Sequence, residues 1–519
     1  MRSSVWTFLY IAIALTQCPI RAKAAMEQSH STSVAGMVKL VLLEAKLIEN
    51  LSSYADELEK KLNILKRAVP QLQAESNKAI GQMEQYVSNP INGFSLIRRM
   101  NQDWNDWILF MEDPLGSSQV AYVSSQKSQL PTNVDLIEAC IAIYRLQRFY
   151  NLTVKDVSTG MLNGKKYDVG LNALDTYVLG QEHHKHHTVD LAGEWFAETH
   201  SWLMEHTLPT PIGADPEKMM HFFASAFFNY KYYSIALSLF DRALVLGKQT
   251  GDPAILNRRL DIEKMAREEV SVKTAPKVDA TNYGRGCRGE FVVTSNLYCV
   301  YKFGSSPFLL LAPLKMEIRL LNPFIIVFHD VLSPREIDEL QKLARPLLER
   351  TTVVKFKKYE KDSRRTSKGA WIERDHNNLT KRIERRITDM VELDLRYSEP
   401  FQVMNYGLGG HYAAHKDFLN NAFVSLCKLI TTTILTIRFH FQLTDVEQGG
   451  ATVFTILNQA VSPKRGTALF WYNLHRNGTG DTRTLHGGCP VLVGSKWIMT
   501  LWIRERMQLF ARPCLKETT

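Results

Sequence analysis

The sequence predicts a multidomain α + β protein, in which an all-α N-terminal half is followed by a C-terminal double-stranded β-helix, or jelly roll. Three observations predict this fold class. Apolar residues at 3–4 spacing between Ser33 and Arg67 form a heptad seam. Small and aromatic residues between Leu179 and Ala243 recur with the spacing of tetratricopeptide (TPR) units. From Phe401 onward, short alternating strands are typical of a jelly roll.

Length and composition limit the classes of protein to which the chain can belong. Its 519 residues are enough for about two to four domains, and a hydrophobic share of 45% is typical of globular proteins. The net charge is +10, and basic runs such as Lys381–Arg386 are typical of solvated faces. Since no nucleic-acid module accompanies these runs, we expect no nucleic-acid partner. The interpretation that a basic surface binds an acidic partner stays open.

Residues 1–24 are predicted to be a secretory signal. Arg2 supplies the positive charge, Val5–Thr16 is apolar but too short to span a bilayer, and Ala22-Lys23-Ala24 fits the cleavage rule. A retained anchor is the alternative, which this shortness disfavours. We expect no membrane span further along the chain. The C-terminal Lys516–Thr519 is not a lumenal retrieval signal, so a protein kept in the endoplasmic reticulum would need a partner to hold it there.

Residues 25–150 are predicted to form a helical domain that contains a coiled coil. The heptad seam permits two interpretations, namely an amphipathic helix packed within its own domain or a short coiled coil that joins two copies of the chain. Lys61 interrupts the seam. The seam residues are Leu40, Leu47, Leu51, Tyr54, Leu58 and Leu65.

Residues 151–265 are predicted to form a TPR-like domain. Ala224, Phe227, Ala236 and Phe240 carry the fuller of two repeat patterns. Small residues let paired helices approach closely and aromatic residues fill the gaps, so these are core residues first. The concave face that such helices create can still hold an extended peptide.

Residues 266–320 are predicted to link this region to a C-terminal domain that spans residues 321–519. Ser333-Pro334-Arg335-Glu336 is a capping box with proline at the first helical position, and it predicts a helix to about Leu348. A second helix is expected from about Leu379 to Leu393. Both helices would buttress one sheet of the jelly roll.

The candidate chemistry of the C-terminal domain begins with His415-Lys416-Asp417. On a β-strand, residues i and i+2 point to the same face, so this imidazole and this carboxylate can meet. A second imidazole, from His486, would complete a two-histidine, one-carboxylate set that binds ferrous iron and leaves positions open. The pair alone is weak evidence, because a solvated surface pair has the same sequence.

The surrounding segments give this set its context. Together they resemble the α-subunit of collagen prolyl 4-hydroxylase, an iron- and 2-oxoglutarate-dependent dioxygenase, and the resemblance extends over most of the mature chain. The segments are Gln402–Gly407, Gly449–Phe454, Pro463–Trp471 and His486–Trp497.

The resemblance implies roles for individual residues. Iron would be bound by His415, Asp417 and His486, and Lys496 would bind the distal carboxylate of 2-oxoglutarate. A buried lysine needs a partner for its charge, which a dicarboxylate supplies. Tyr406 and Thr452 would also contact the cosubstrate. The candidates for stacking on a proline-rich peptide substrate are Tyr177, Tyr230 and Tyr233.

The resemblance also implies an activity and an assembly. The activity is that of a procollagen-proline 4-dioxygenase, which hydroxylates peptidyl proline in collagen-like or other proline-rich secretory proteins with O2 and 2-oxoglutarate, and which needs ascorbate to rescue over-oxidised iron. Protein disulfide isomerase would be the β-subunit. Two α-subunits would dimerise through the N-terminal domain, giving an α2β2 tetramer in the lumen of the endoplasmic reticulum.

Cysteines and glycosylation sequons fit an oxidising, lumenal compartment. Spacing alone cannot fix the cysteine pairing. The resemblance suggests Cys287–Cys299 and Cys489–Cys514, with Cys140 and Cys427 left reduced or buried. The four sequons lie at Asn50, Asn151, Asn378 and Asn477.

Three positions depart from the family pattern. Lys416 replaces an aromatic residue and is expected to point away from the iron. Thr455 replaces a proline. The strand from 434 to 442 is apolar and aromatic in the family, whereas here Arg438, His440 and Gln442 share one face. If that face lines the pocket, affinity for cosubstrate or peptide changes. Two alternatives therefore stay open: a dioxygenase with another substrate, or a non-catalytic peptide-binding or assembly subunit.

Overall fold

The computed structural model describes two compact units of the chain. It covers residues 30–81, 83–88, 90–185, 189–206, 216–247, 253–269, 278–291, 298–355, 358–360, 362–418, 435–475, 477, 479–504 and 508. The first unit contains residues 43–131, and the second contains residues 30–42 together with the chain from 132 onward. The predicted signal, Cys427 and Cys514 lie outside the described residues. Among the described helices, none is both long and apolar enough to cross a bilayer.

The first unit is helical, as the sequence predicts. Its helix α1 (Val34–Asn77) begins in the second unit and is followed by α2 (Met83–Ser88), α3 (Pro90–Arg98), a π-helical segment (Arg99–Asp103), α4 (Trp104–Glu112) and α5 (Ser117–Gln126).

Two contacts hold α1 within this unit. The ring of Tyr54 covers Gly116, where a Cβ atom would lie 2.1 Å from the ring. Lys61 Nζ donates to the carbonyl of Asp113 at 3.0 Å and lies 5.1 Å from the ring centroid of Phe110. The lysine that interrupts the heptad seam therefore has a structural role of its own. Leu51 remains 65% exposed in the single chain.

The second unit begins with helices that pack in antiparallel pairs. They are α6 (Asn133–Tyr150), α7 (Val154–Thr159), α8 (Ala173–Lys185), α9 (Val189–Glu205), α10 (Pro216–Asn229), α11 (Tyr233–Gly247) and α12 (Pro253–Arg267), with a hairpin of β1 (Met161–Leu162) and β2 (Lys165–Lys166) after α7. Gly180 permits the α8–α9 contact, since a Cβ there would lie 2.4 Å from the ring of Phe196. Phe196 and Phe227 are fully buried between these helices, as predicted for core residues, and Phe223 is buried with them.

The C-terminal half is rich in β-sheet. A helix α13 (Asn282–Cys287) leads into β3 (Cys299–Lys302), α14 (Pro307–Leu311), β4 (Leu314–Leu321), β5 (Phe324–His329), α15 (Pro334–Ala344), β6 (Glu349–Arg350), β7 (Val353–Lys355), β8 (Lys358–Glu360), β9 (Ser367–Ile372) and α16 (Asn378–Val391). The remaining strands are β10 (Phe401–Tyr406), β11 (Tyr412–His415), β12 (Leu435–Gln442), β13 (Gln448–Gly449), β14 (Thr452–Phe454), β15 (Gln459–Val461), β16 (Ala468–Tyr472), β17 (His486–Gly488), β18 (Val491–Val493) and β19 (Trp497–Arg504).

Two of its sheets position the candidate site. The larger has nine strands in the order β3-β4-β5-β16-β12-β19-β10-β9-β6, and the smaller has the order β11-β17-β14-β15. On β12, Ile437, Phe439 and Phe441 belong to the main hydrophobic core, so Arg438 and His440 face the opposite side of the sheet. The alternation predicted for this strand is therefore confirmed.

The predicted helices α15 and α16 cover the other side of the large sheet. Ser333 caps α15 reciprocally with Glu336, and Pro334 occupies the first turn. The helix gives way to a 3-10 turn (Arg345–Leu347), close to the predicted end at Leu348. Their buried residues, such as Leu340 and Ile383, pack into the core with β12.

Asn405 joins the start of α1 to the large sheet. Its Oδ1 accepts hydrogen bonds from Ser33 Oγ and from the backbone N–H of Ala35, both at 3.0 Å. Its Nδ2 donates to the backbone carbonyl of Lys496 at 3.2 Å. Because all these groups are buried, losing one partner would leave the others unsatisfied. The N-terminal segment is thus part of the support of Lys496.

The cysteine pairing differs from the one that the resemblance suggests. Cys287 is bonded to Cys489, across 202 residues of sequence. The expected pairs Cys287–Cys299 and Cys489–Cys514 are therefore wrong, and Cys299 is an exposed free thiol. The cause is tertiary: α13 packs against β14, whose partner β17 ends directly before Cys489. The cysteines that are closest in sequence are therefore not the ones that lie closest in the folded chain.

Peptide mapping without reduction tests this pairing. We expect a linked peptide that contains Cys287 and Cys489, and an unlinked Cys299 that reacts with an alkylating reagent before reduction. Reduction should release both linked peptides, which serves as the control. A linked peptide containing Cys287 and Cys299 would contradict the structure.

Candidate metal and cosubstrate site

Two neighbouring strands of the small sheet carry the histidines of the candidate site. In the antiparallel pair β11–β17, His415 is the direct partner of His486. Their ring centroids are 4.5 Å apart. Tyr283 on α13 holds both strands, because its hydroxyl donates to Gly488 O at 2.6 Å and lies 3.2 Å from Tyr412 O. Strand pairing therefore brings together residues that are far apart in sequence.

Asp417 completes the cluster. One ligand atom from each of His415, Asp417 and His486 lies within 4.8 Å of the other two. The Nδ1 atoms of His415 and His486 lie 2.9 Å from the backbone carbonyls of Ala413 and Thr484. An Nδ1–H that donates to a carbonyl leaves the Nε2 lone pair free to bind a metal or accept a proton. Both imidazoles thus point an acceptor at the same centre.

Arg438 reaches the same centre from β12. Its Nη1 lies 2.9 Å from His486 Nε2 and 3.1 Å from His415 Nε2. The same atom lies 3.0 and 3.1 Å from the two carboxylate oxygens of Asp417. The guanidinium lies 5.3 Å from the ring centroid of Trp502 and 5.8 Å from that of Trp471. Only 3% of its side chain is exposed.

Burial and charge together set the protonation of this cluster. Burial alone would raise the pKa of Asp417, but the guanidinium of Arg438 and then the imidazoles outweigh it, so the pKa lies well below its ordinary value. Burial lowers the pKa of His486 to about 3 and also lowers that of His415. The carboxylate is therefore ionised and both imidazoles are neutral near neutral pH, which is the state in which they bind metal.

Lys496 lies fully buried beside this cluster. Its Nζ donates to the carbonyl of Gly450 at 2.6 Å and lies 5.2 Å from the ring centroid of Tyr406. Burial, and then the charge of Arg438, lower its pKa to about 7. It has no ion pair among the described residues. A carboxylate ligand would supply the missing negative charge.

Further polar groups line the same pocket. Thr452 Oγ1 lies 3.5 Å from His440 Nδ1, and both residues are buried. His440 Nε2 and both amide atoms of Gln442 are buried without a hydrogen-bond partner among the described residues. Buried polar atoms of this kind are costly unless a ligand or water pairs with them. The face of β12 that departs from the family pattern is therefore inside the pocket.

The other predicted site residues lie elsewhere. Lys416 is exposed, with its Nζ 5.7 Å from the ring centroid of Phe418. In the helical region, Tyr177 is only 6% exposed and packs edge-to-face on Phe223, with ring centroids 5.2 Å apart. Tyr230 stacks on Phe196 and is half-buried. Tyr233 lies against Phe228, with ring centroids 5.4 Å apart.

Comparisons with known proteins agree with this architecture. Residues 33–164 match the family of the prolyl 4-hydroxylase α-subunit N-terminal region, and residues 401–504 match the 2OG-Fe(II) oxygenase superfamily. Prolyl 4-hydroxylase subunit α-1 of Rattus norvegicus is 32% identical over 98% of this chain and 99% of its own length. The chain belongs to the prolyl 4-hydroxylase α-subunit family. Subunit α-2 of Gallus gallus is 32% identical, covering 94% of this chain and 95% of its own.

The family resemblance seen in the sequence is thereby confirmed. Among solved structures, the viral collagen prolyl hydroxylase from Paramecium bursaria Chlorella virus-1, in complex with 2OG, is 23% identical over 35% of this chain and 95% of its own, with a TM-score of 0.29. This α-subunit family member thus carries a 2OG-Fe(II) oxygenase domain behind a helical N-terminal half.

The donor set of this family member fits ferrous iron. Two neutral imidazoles and one ionised carboxylate converge on one point, and backbone carbonyls fix both imidazole rings. This is the facial set typical of non-haem Fe(II) oxygenases. The point on which they converge is the position of Arg438 Nη1, so these residues can bind iron only when that nitrogen has moved.

The sequence does not identify two residues that support this site, and it does not predict the contact between Arg438 and the triad. It places Arg438 on one face of β12, but whether that face lines the pocket depends on how the two sheets lie. Tyr283 and Asn405 act through backbone carbonyls, which leave no residue-type signal. The one signal in the sequence is that Arg438 lies on a strand whose other face is core. A buried arginine at such a position needs a buried carboxylate to balance its charge.

Changing Tyr283 to phenylalanine tests its role in holding β11 and β17. Without the hydroxyl, Gly488 O loses a donor and the two histidines lose a shared support. We expect roughly 10-fold weaker binding of Co²⁺ to the triad, a loss typical of groups that orient metal ligands. Titration with Co²⁺, followed by its visible absorption, measures this.

Tyr301→Phe is the matched control, because Tyr301 is 63% exposed on β3. It should bind Co²⁺ as the unmodified chain does. Equal affinities in the two variants would show that Tyr283 does not support the triad.

Proposed function

We propose that this chain is the catalytic α-subunit of a prolyl 4-hydroxylase, which hydroxylates peptidyl proline in collagen-like or other proline-rich secretory proteins. The single observation that supports this most strongly is the meeting of His415, Asp417 and His486 beside a buried Lys496 that has no ion pair among the residues the structure describes. The near full-length match to prolyl 4-hydroxylase α-subunits supports it independently. Fe(II) would be the metal, O2 and 2-oxoglutarate would be the cosubstrates, and ascorbate is the expected reductant.

The chain's own residues would divide the work between them. His415, Asp417 and His486 would hold Fe(II), which with 2-oxoglutarate supplies the oxidising chemistry that inserts oxygen at C4 of proline. Lys496 would bind the distal carboxylate, with the Tyr406 ring beside it and Thr452 across the pocket. The rings of Phe454 and Trp471, 5.8 and 4.8 Å from that of His486, would exclude water from the reacting atoms.

The helical region would bind the proline-rich chain. The helices α8 to α11, which would form the TPR-like domain, leave Phe222 54% exposed, with its ring centroid 6.3 Å from that of Tyr177. Together with Tyr230 this makes an aromatic surface suited to a polyproline II helix. Tyr233, which packs on Phe228, would contact a longer peptide. Tyr177 would contribute through its exposed edge and otherwise support the core.

The assembly would follow that of the family. Residues 25–150 would dimerise two α-subunits through a coiled coil on α1, whose apolar residues are largely exposed in the single chain. Protein disulfide isomerase would be the β-subunit of an α2β2 tetramer. Residues 1–24 would direct the chain to the lumen of the endoplasmic reticulum, and 266–320 would lead into a jelly-roll oxygenase domain over 321–519.

Glycosylation at the sequons is the remaining part of this proposal. Asn151 and Asn378 are exposed and present their side chains to solvent. Asn50 Nδ2 donates to the carbonyl of Gln119 at 3.1 Å, and Asn477 Oδ1 accepts from Thr479. Asn151 and Asn378 are therefore the more accessible acceptors.

The direct test measures products from the chain coexpressed with protein disulfide isomerase. The mixture contains Fe(II), 2-oxoglutarate, ascorbate and a peptide of repeated Pro-Pro-Gly. We expect peptide-dependent succinate and 4-hydroxyproline, both lost in His486→Ala because the triad then lacks one imidazole. Mass spectrometry of the peptide identifies the modified atom.

Two other outcomes would replace the proposed function. Succinate without hydroxyproline would indicate a dioxygenase with another substrate. Neither product, from a folded and iron-loaded complex, would indicate a non-catalytic peptide-binding subunit or a substrate unlike this peptide. A complex that takes up no iron would instead be explained by Arg438, which fills the centre of the triad.

Cosubstrate binding should be coupled to proton uptake by Lys496. Its pKa of about 7 leaves it mostly neutral at pH 8, and a bound carboxylate favours the charged form. Binding of 2-oxoglutarate should therefore take up close to one proton at pH 8 and little at pH 6, and affinity should fall as pH rises through 7. Calorimetry in buffers of different ionisation enthalpy measures the uptake.

Lys496→Met should abolish this uptake and weaken binding roughly 100-fold, since a buried charge partner is lost. The matched control is Lys464→Met, on an exposed turn, which should leave both unchanged. Uptake that persists in Lys496→Met would assign the proton to another group.

A further inference from the structure

The guanidinium of Arg438 takes the position that a metal ion would take. Nη1 lies 2.9–3.1 Å from one acceptor atom of each triad residue. A metal ion held by the same atoms would take nearly the same position. A metal ion and this nitrogen cannot both be there. The contact also brings a fixed positive charge to the place where a second positive charge would bind.

The surroundings of Arg438 favour this position. The side chain is buried, so its charge needs a buried counter-charge. Within the described part of the chain, Asp417 is the carboxylate that lies within ion-pair distance, at 3.0 Å. The rings of Trp471 and Trp502 lie close to the guanidinium and restrict the other positions that this side chain can take. Its Nε has no acceptor among the described residues, so the triad provides the polar contacts of the head group.

We propose that Arg438 is an internal cation that competes with the metal for the triad. In the metal-free chain it neutralises Asp417 and satisfies both imidazoles, and metal binds only when it leaves. The inference rests on the proposed function for the identity of the metal as iron. It goes beyond that function because it says that a residue of this chain restricts the binding of the metal, rather than the binding of cosubstrate or peptide.

The test compares metal affinity with and without the guanidinium. The full chain, coexpressed with protein disulfide isomerase and stripped with a chelator, is titrated with Co²⁺ under conditions that need no turnover. We expect Arg438→Thr to bind Co²⁺ roughly 100-fold or more tightly than the unmodified chain, because a buried ion pair no longer has to be broken. Threonine suits a strand position.

Two further variants test whether the gain in Co²⁺ affinity arises at the triad. The double variant Arg438→Thr with His486→Ala should lose it, which places the added affinity at the triad. Arg396→Thr removes an arginine–aspartate pair of the same type from a surface where the arginine is 73% exposed, and should leave affinity unchanged. If Arg438→Thr does not fold, Arg438→Met carries the comparison, since its length preserves packing between the tryptophans.

Thermal unfolding provides an independent readout. At the same Co²⁺ concentration, the midpoint of Arg438→Thr or Arg438→Met should rise by several degrees and that of the unmodified chain far less, since the stabilisation by bound metal grows with the logarithm of its affinity. Equal Co²⁺ affinities for the unmodified chain and these variants would overturn the proposal. So would folded variants that bind no Co²⁺ at all.

These outcomes separate the inference from the proposed function. Tight Co²⁺ binding by the unmodified chain, together with hydroxyproline formation, would leave the function and remove the inference. Tighter binding by the variants, with no hydroxyproline from any form of the chain, would leave the inference and remove the function.

Discussion

A carboxylate and two imidazoles that are buried together need a cation at their centre. Asp417 cannot stay ionised at this depth without one, because the solvation that it loses is not replaced by the protein's neutral groups. The pairing of β11 with β17, the Tyr283 hydroxyl and the two backbone carbonyls behind the imidazoles all fix acceptors around that point. In this chain the cation is a side chain of the protein itself, the guanidinium of Arg438.

The pocket is also supported from outside the oxygenase domain. Arg145 on α6 donates to the carbonyl of Gly409 at 2.9 Å, and the Tyr150 hydroxyl donates to the carbonyl of Pro490 at 2.5 Å. The first hairpin contributes Lys165, whose ammonium pairs with Glu447 at 2.5 Å beside the strand that precedes Gly450. Helical and sheet regions of the second unit therefore hold one another, so a change in the helices can reach Lys496 through backbone contacts.

Local patterns explain how much of this the sequence could predict. The capping box at Ser333, the alternation of β12 and the aromatic core at Phe196 follow from periodicity and turn chemistry, which act over a few residues. The convergence of His415, Asp417 and His486 could be inferred because a family arrangement was already suggested by the flanking segments. The contact of Arg438 with the triad and the pairing of Cys287 with Cys489 could not be inferred, because both depend on how strands distant in sequence come to lie together. Tyr177 illustrates the same limit, since residue type alone did not distinguish a core aromatic from a surface one.

The bond between Cys287 and Cys489 also constrains the order of events during synthesis. During synthesis Cys287 emerges from the ribosome 202 residues before its partner, and Cys299 emerges soon after it. In an oxidising compartment, such as the lumen proposed above, these two thiols would be able to pair first. For that interval, the first cysteine has a nearby thiol with which it must not remain paired. A native chain therefore requires either that Cys287 stay reduced or that an early bond be exchanged once the last strands have arrived. A permanent association with a thiol–disulfide exchange catalyst would meet that requirement at the site of synthesis.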